Sequence, residues 1–332
     1  MKILLTGAAG FIGFAKTQRL LAMGHQVVGI DNLSDYYSPQ LKRARLRQLA
    51  KHPQAKNFTF HKLNLTNLKA LQKLALATKP SHIIHLAAQA SVRYGLTHQA
   101  PYLQSNLIGH FHILQVTKAL ADAGHPLHHL LYASSSSVYG NNEKVPFAET
   151  DDVSSPQSLY AATKRADELI THAWSHQFGL PATGLRFFTV YGPWGRPDMA
   201  PYQFIHATHT GAQIKLFNNG DLYRDFTYID DIVEATVRLL NHLPNTPTKH
   251  QIYNLGNHQP VKLTDFITTL AKVTNTTPNT LNAPWPPTEV YQTYADTTKL
   301  RQAINWAPST KLETGLKNLN DWYLRQGHKF MN

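Results

Sequence analysis

The sequence predicts an α/β protein, a doubly wound parallel sheet with a smaller, interwoven C-terminal lobe. Short apolar runs alternate with helix-length amphipathic segments through the first half of the chain. Several runs are apolar at consecutive positions, as in Ile3-Leu4-Leu5 and Val27-Val28. Beyond about residue 190 the texture changes, with Pro193, Pro197 and Pro201 interrupting the chain. Strands covered on both faces are near-continuous in apolar residues, and strands alternating with helices imply right-handed crossovers.

In order, strands are predicted at 2–6, 26–31, 58–64, 82–87 and 129–134, with helices near 11–23, 39–51, 67–78, 100–123 and 157–178 between or after them. A sixth strand follows at 182–190. The remainder has shorter elements and polar loops rich in Asn, Thr and Pro at 244–251 and 275–288. With no clean linker, the second lobe, 181–330, is expected to be interwoven with the first, 1–180, to which segments near 225–245 return.

Composition excludes several classes. The 332 residues are 42% hydrophobic and 16% charged, with 18 Gly and 19 Pro, which rules out collagen-like, coiled-coil and disordered chains. There is no cysteine, hence no disulfide, thiolate nucleophile or Cys-type zinc site. An apolar strand begins directly after Met1, and no apolar run approaches the ~20 residues of a membrane helix, so a cytoplasmic protein is expected.

The net charge of +12 suits either nucleic acid or anionic small molecules such as nucleotides. The densest basic cluster is Lys42, Arg43, Arg45, Arg47 and Lys51. Its charges spread around a helix without interleaved aromatics, so it reads as a solvated face and no nucleic-acid partner is expected. Among 19 histidines, His82 with His85 and His206 with His209 lack the Glu of an H-E-x-x-H pattern, and no metal is expected.

The first strand runs into Gly7-Ala8-Ala9-Gly10-Phe11-Ile12-Gly13 and then a helix. Three glycines in that context give a tight turn, close approach of backbone to a pyrophosphate, and close packing of helix on strand. The helix start offers free N–H groups and a positive dipole end to phosphates. Asp31 closes the second strand 24 residues after Gly7, where a carboxylate accepts from ribose hydroxyls. Asn32-Leu33 follow it rather than an Arg, which favours NAD over NADP.

Tyr160 and Lys164 stand four apart on a predicted helix and so share a face. A phenol of pKa ~10 is a poor base at neutral pH, and a nearby ammonium favours its ionised form. Ser134 to Ser137, at the end of the fifth strand, supply hydroxyls for a sugar oxygen. Arg224 suits a pyrophosphate, because a planar guanidinium pairs phosphate oxygens bidentately.

The G-x-x-G-x-x-G turn with Y-x-x-x-K resembles the extended branch of the short-chain dehydrogenase/reductase superfamily, whose sheet is of Rossmann type. The segments DNLSDYY (31–37), LAAQASVRYG (86–95), SSSSVYG (134–140), LRFFTVYGPWGRPDM (185–199) and RDFTYIDD (224–231) narrow the resemblance. They are similar to those of nucleotide-sugar epimerases and dehydratases, in the branch acting on UDP-glucuronate at C4. Resemblance extends over 1–325. It implies cofactor contacts at Phe11, Ile12, Asn32, Asn64, Leu65, Leu86, Ala87, Ala88, Gln89, Asn106 and Lys164. It also implies Ser135 and Ser137 as catalytic hydroxyls and sugar-nucleotide contacts at Arg93 and Asp296. Thr189 and Arg196 would hold the sugar's C6 carboxylate. Phe14 departs from the family's small or polar residue, on the helix away from the chemistry.

The implied reaction begins with Tyr160 taking the C4 hydroxyl proton, aided by Ser135. Hydride passes to NAD, the 4-keto sugar turns, and hydride returns to its other face. A 4,6-dehydratase would carry Asp-Glu where Ser136 and Ser137 stand. Decarboxylation of UDP-glucuronate, 4-epimerisation of UDP-glucose or UDP-N-acetylglucosamine, and a silent NAD-binding regulator stay open. The resemblance also implies a homodimer built on the helices near 100–123 and 157–178.

Overall fold

The computed structural model describes residues 1–285 and 290–331; the end of the 275–288 loop therefore lies outside the described residues. The chain forms β1 (Lys2–Thr6), α1 (Phe11–Ala22), β2 (Gln26–Asp31), α2 (Pro39–Ala50), β3 (Phe58–Lys62), α3 (Leu68–Thr78) and β4 (His82–His85). Next come α4 (Ala100–Tyr102), a π-helical stretch (Leu103–Ile108), α5 (Gly109–Asp122), β5 (His129–Ser135), α6 (Leu159–Phe178) and β6 (Ala182–Phe187). The remainder comprises β7 (Thr189–Tyr191), α7 (Ala200–Thr210), β8 (Ile214–Phe217), β9 (Tyr223–Tyr228), α8 (Ile229–Leu239) and β10 (His250–Leu255). Last come β11 (Pro260–Lys262), α9 (Leu263–Thr274), β12 (Thr280–Ala283), α10 (Thr298–Ile304) and α11 (Leu312–Arg325).

Seven parallel strands form the central sheet in the order β10-β6-β5-β4-β1-β2-β3, with the doubly wound reversal between β1 and β4. Period-two alternation sends Ile3, Leu5, Ile84 and Leu131 into one core, with Phe14, Leu41 and Ile232 of α1, α2 and α8. Leu4, Ile83 and Leu130 enter the opposite core, with Leu71 of α3 and Ile113 and Leu114 of α5. Each such side chain contributes roughly 1.5–3 kcal/mol on burial, which explains the continuous apolar runs. Two small sheets, β11-β9-β7 and β12-β8, complete the second lobe.

Several expectations are corrected, and the differences open the cleft. The strand expected at 182–190 divides at Phe188: β6 pairs with β5 and β10, whereas β7 pairs with β9 in another sheet. β4 stops at His85: Leu86 N–H is shared between Thr6 O at 3.3 Å and Thr6 Oγ1 at 3.1 Å, and Ala87 N–H turns to Thr6 Oγ1 at 3.1 Å. The helix expected at 100–123 is interrupted by the π-helical stretch, a form common at functional sites. β10, beyond the returning segments expected near 225–245, joins the central sheet outside β6.

The basic helix is also not a uniformly solvated face. Arg43, Arg47 and Lys51 are exposed, but Lys42 and Arg45 are buried. Lys42 Nζ donates to Ser34 O at 2.7 Å and lies 4.5 Å from the centre of the Tyr37 ring. Phe14 reaches further than expected as well, its ring meeting Trp194 edge-on at 5.4 Å.

Candidate active site

A cavity of about 560 Å³ opens along the carboxyl ends of the central strands, at the reversal in strand order. One end is built by the glycine turn. Gly7 has φ +73°, and a Cβ there would stand 2.9 Å from Ala87 N. A Cβ on Gly13 would stand 2.0 Å from Gly7 O, so no larger residue fits between turn and helix. Among the described residues no side chain caps the start of α1, and no acid occupies its first turn, leaving its N–H groups and dipole aimed into the cavity. Asp31 accepts from Ala9 N through Oδ2 at 3.1 Å and from Leu33 N through Oδ1 at 2.8 Å, which fixes it beside the turn. Free N–H groups at a helix start beside a fixed carboxylate fit a dinucleotide.

Gly7, Gly10, Phe11, Ile12, Gly13, Asp31, Asn32, Asn64, Leu65 and residues 86–89 all line this cavity. Asn64 Oδ1 accepts from Thr66 N at 3.1 Å, leaving its NH2 group to donate. Asn106 does not line it. Buried on the π-helical stretch, it accepts from Gln89 N at 2.8 Å and donates to Gln89 O at 3.1 Å. It positions the cofactor-side loop from behind.

Ser135, Ser137, Tyr160 and Lys164 share the same cavity. Ser135 Oγ donates to Ser137 Oγ at 3.1 Å and accepts from Ser137 N at 3.2 Å. Ser134 is withdrawn from chemistry by donating to Glu168 Oε1 at 2.6 Å, a carboxylate also clasped by Arg186. The Tyr102 ring stands edge-on to Tyr160, 6.3 Å between centres. Lys164 is buried, and its Nζ donates to Ala133 O and to Asp167 Oδ2, each at 3.0 Å. Burial pushes the Asp167 carboxyl up to about 6, against the pull of the Lys164 ammonium.

Arg93, Thr189, Arg196 and Arg224 line the far end. Arg224 Nη1 donates to Tyr223 O at 2.9 Å and Tyr291 O at 3.2 Å, and Arg93 lies 5.5 Å from the centre of the Phe217 ring. Arg196 forms an ion pair with Asp198, its Nε donating to Oδ1 at 3.0 Å. Tyr36 Oη donates to the same carboxylate at 2.8 Å. Burial alone would raise the Asp198 carboxyl, but the Arg196 guanidinium holds it below the usual carboxylate range. Among the described residues, Asp296 is not part of the cavity lining. Its Oδ1 accepts from Thr298 N at 2.9 Å at the start of α10.

Sequence reasoning missed Tyr36, Lys42 and Asp198, all lining the cavity. The R-x-D spacing at Arg196 and Asp198 was the available signal for the last.

The profile of the NAD dependent epimerase/dehydratase family matches residues 3–256. The chain belongs to that family. Among relatives, a protein named probable UDP-glucuronate 4-epimerase, from Rhizobium meliloti, is 41% identical over 97% of each chain. Among solved structures, UDP-glucuronic acid 4-epimerase from Bacillus cereus, in complex with UDP-glucuronic acid and NAD, superposes with a TM-score of 0.88. It is 31% identical, covering 98% of this chain and 99% of that one. MoeE5, solved with NAD and either UDP-glucuronic acid or UDP-glucose, is 29% identical over 98% of this chain and 99% of its own, with TM-scores of 0.82 and 0.83. Among the described residues of this family member, no helix is long and apolar enough to cross a membrane.

Proposed function

We propose that this chain is an NAD-dependent UDP-glucuronate 4-epimerase, interconverting UDP-glucuronate and UDP-galacturonate. The supporting observation is a single cavity lined by the glycine turn and Asp31 at one end, Ser135 and Tyr160 in the middle, and Arg196 and Arg224 at the other. Bound NAD supplies reversible oxidation at the sugar's C4.

The residues of the chain then divide the work. The α1 start holds the dinucleotide pyrophosphate, and Asp31 accepts from the adenosine ribose. Tyr160 Oη takes the proton from the C4 hydroxyl and later returns it, while Ser135 and Ser137 hold the C4 oxygen. Lys164, pinned by Ala133 and Asp167, stands four residues from Tyr160 on the same helix face. Arg224 pairs the sugar-nucleotide pyrophosphate. Thr189 and Arg196 hold the C6 carboxylate, whose fixed orientation protects the 4-keto acid from losing CO2.

One observation favours a second substrate. Asp198 already compensates the charge of Arg196, so a neutral hexose at the same place leaves no unpaired cation. UDP-glucose is therefore expected to be accepted more slowly. Incubation of the purified protein with UDP-glucuronate, followed by NMR, tests the assignment. UDP-galacturonate is the expected product; UDP-xylose or a 4-keto pentose would replace epimerisation by decarboxylation. Turnover of UDP-glucose without UDP-glucuronate would remove Arg196 from its role.

We also infer a homodimer through α5 and α6. Leu103, Ile108, Phe111, Leu169 and Phe178 are exposed along these helices and the adjoining π-helical stretch. An apolar patch of this kind suits a second copy of the same face. Light scattering checks it, with Leu169→Asp expected to give monomers.

A further inference from the structure

Arg45 of α2 lies outside the chemistry described so far, yet it is fully buried. All five of its N–H groups have acceptors. Nε donates to Trp194 O at 3.2 Å, and Nη2 to Trp194 O at 2.6 Å and Gly195 O at 3.0 Å. Nη1 donates to Ala9 O at 2.9 Å and to Tyr37 Oη at 2.7 Å. None of these acceptors is a carboxylate, so this guanidinium is not there to balance a charge. Burying a cation is costly unless dipoles surround it, and here the dipoles come from three separate loops. They are the glycine turn, the loop after β2, and the turn just ahead of Arg196.

That last turn needs holding. Trp194 adopts φ +64°, a left-handed conformation unfavourable for a bulky residue. Gly195 N donates to Gly192 O at 3.1 Å, which closes the turn. The indole packs 5.4 Å from both Phe14 and Trp322. The ring is thus fixed from the side and the carbonyl from Arg45.

We propose that Arg45 is a positioning residue that locks the Trp194–Gly195 turn, and hence Arg196, in register with the glycine turn. The proposal rests on the reading of the cavity as a dinucleotide and sugar-nucleotide site. Two ligands seated in one cavity react only if the loops holding them keep a constant separation. A planar five-donor fork reaches all four acceptors on the three loops; a lysine, with three donors at one nitrogen, leaves at least one unpaired.

The test uses the NAD-loaded proteins carrying Arg45→Lys and Tyr37→Phe, the second removing one acceptor and leaving the guanidinium in place. Arg45→Lys is expected to raise the KM for UDP-glucuronate about tenfold or more, with a smaller loss in kcat. Inhibition by UDP, which lacks the sugar and does not reach the turn, is expected to stay at the wild-type constant. Tyr37→Phe is expected to show the same pattern with a smaller rise. Amide hydrogen exchange over 194–199 is expected to quicken in both. Wild-type KM with wild-type exchange in this segment would overturn the proposal, as would a UDP inhibition constant that rises in step with KM. If wild-type protein fails to turn over UDP-glucuronate, the functional reading falls, and exchange over 194–199 alone decides the role of Arg45.

Discussion

Asn106 Nδ2 donates to Thr163 Oγ1 at 2.9 Å, joining the π-helical stretch to α6. Thr163 Oγ1 in turn donates to Tyr160 O at 2.8 Å. One buried amide therefore serves both the Gln89 backbone on the cofactor side and the helix carrying the proposed base. Asn106→Leu leaves the Gln89 N–H and C=O without partners, at about 1–3 kcal/mol for each unsatisfied group. The variant is expected to melt several degrees lower and to lose NAD during purification. Calorimetry together with the NAD content of the denatured protein checks this, and wild-type values in both would remove Asn106 from its position.

Tyr160→Phe deletes the phenolic oxygen and keeps the ring that meets Tyr102. Turnover is expected to fall by roughly 10²–10⁴-fold, the range typical of a lost general acid–base group. Bound NAD should be retained. Substantial residual epimerisation would assign the proton to another group.

Arg196→Gln is expected to reduce kcat/KM for UDP-glucuronate by about tenfold or more, through loss of a charged hydrogen-bond donor. Turnover of UDP-glucose is expected to change little, because that sugar has no C6 carboxylate. Asp198→Asn works in the opposite sense, releasing Arg196 from its ion pair and favouring the uronate over the neutral sugar. Steady-state rates on both substrates measure the ratio, and parallel losses on both would refute carboxylate recognition.

Acid stability follows from a buried histidine group. His85 Nδ1 pairs with Thr6 Oγ1, His110 Nε2 with Thr171 Oγ1, and His250 Nε2 with Tyr132 Oη. Burial lowers His110 to about 3 and His82, His129 and His250 to about 4, and puts His85 well below its ordinary value. Their native forms stay neutral while the unfolded chain takes up protons below about pH 6.5, so stability falls as pH drops from there towards 4. Asp167, raised to about 6, has the opposite sign, since its ionisation favours the unfolded chain as pH rises from about 4 to 6. Burial also raises Glu149, Asp225 and Asp230, but between pH 7.5 and 5.0 the five histidines outweigh these four carboxyls. Urea midpoints at pH 7.5 and pH 5.0 check the sign, and equal midpoints would refute it.

The central sheet was legible because its strands are buried on both faces, so Ile3-Leu4-Leu5 needs no alternation to declare itself. The glycine turn and Asp31 were legible because their spacing follows from backbone sterics and sits in one continuous stretch. What stayed hidden depends on where distant loops meet. The charged pattern of α2 gives no sign that Arg45 points inward, since three of its five hydrogen bonds go to backbone carbonyls about 150 residues away. The π-helical stretch was hidden because its apolar pattern remains compatible with an ordinary helix.

The passage of the chain through Phe188, leaving the large sheet and later returning as β10, bears on how the molecule can be divided. A fragment ending near residue 180 would strip away β6 and β10 and leave β5 with a bare row of amides and carbonyls. Such a piece is a template for self-association, so truncation there is expected to give an aggregating fragment.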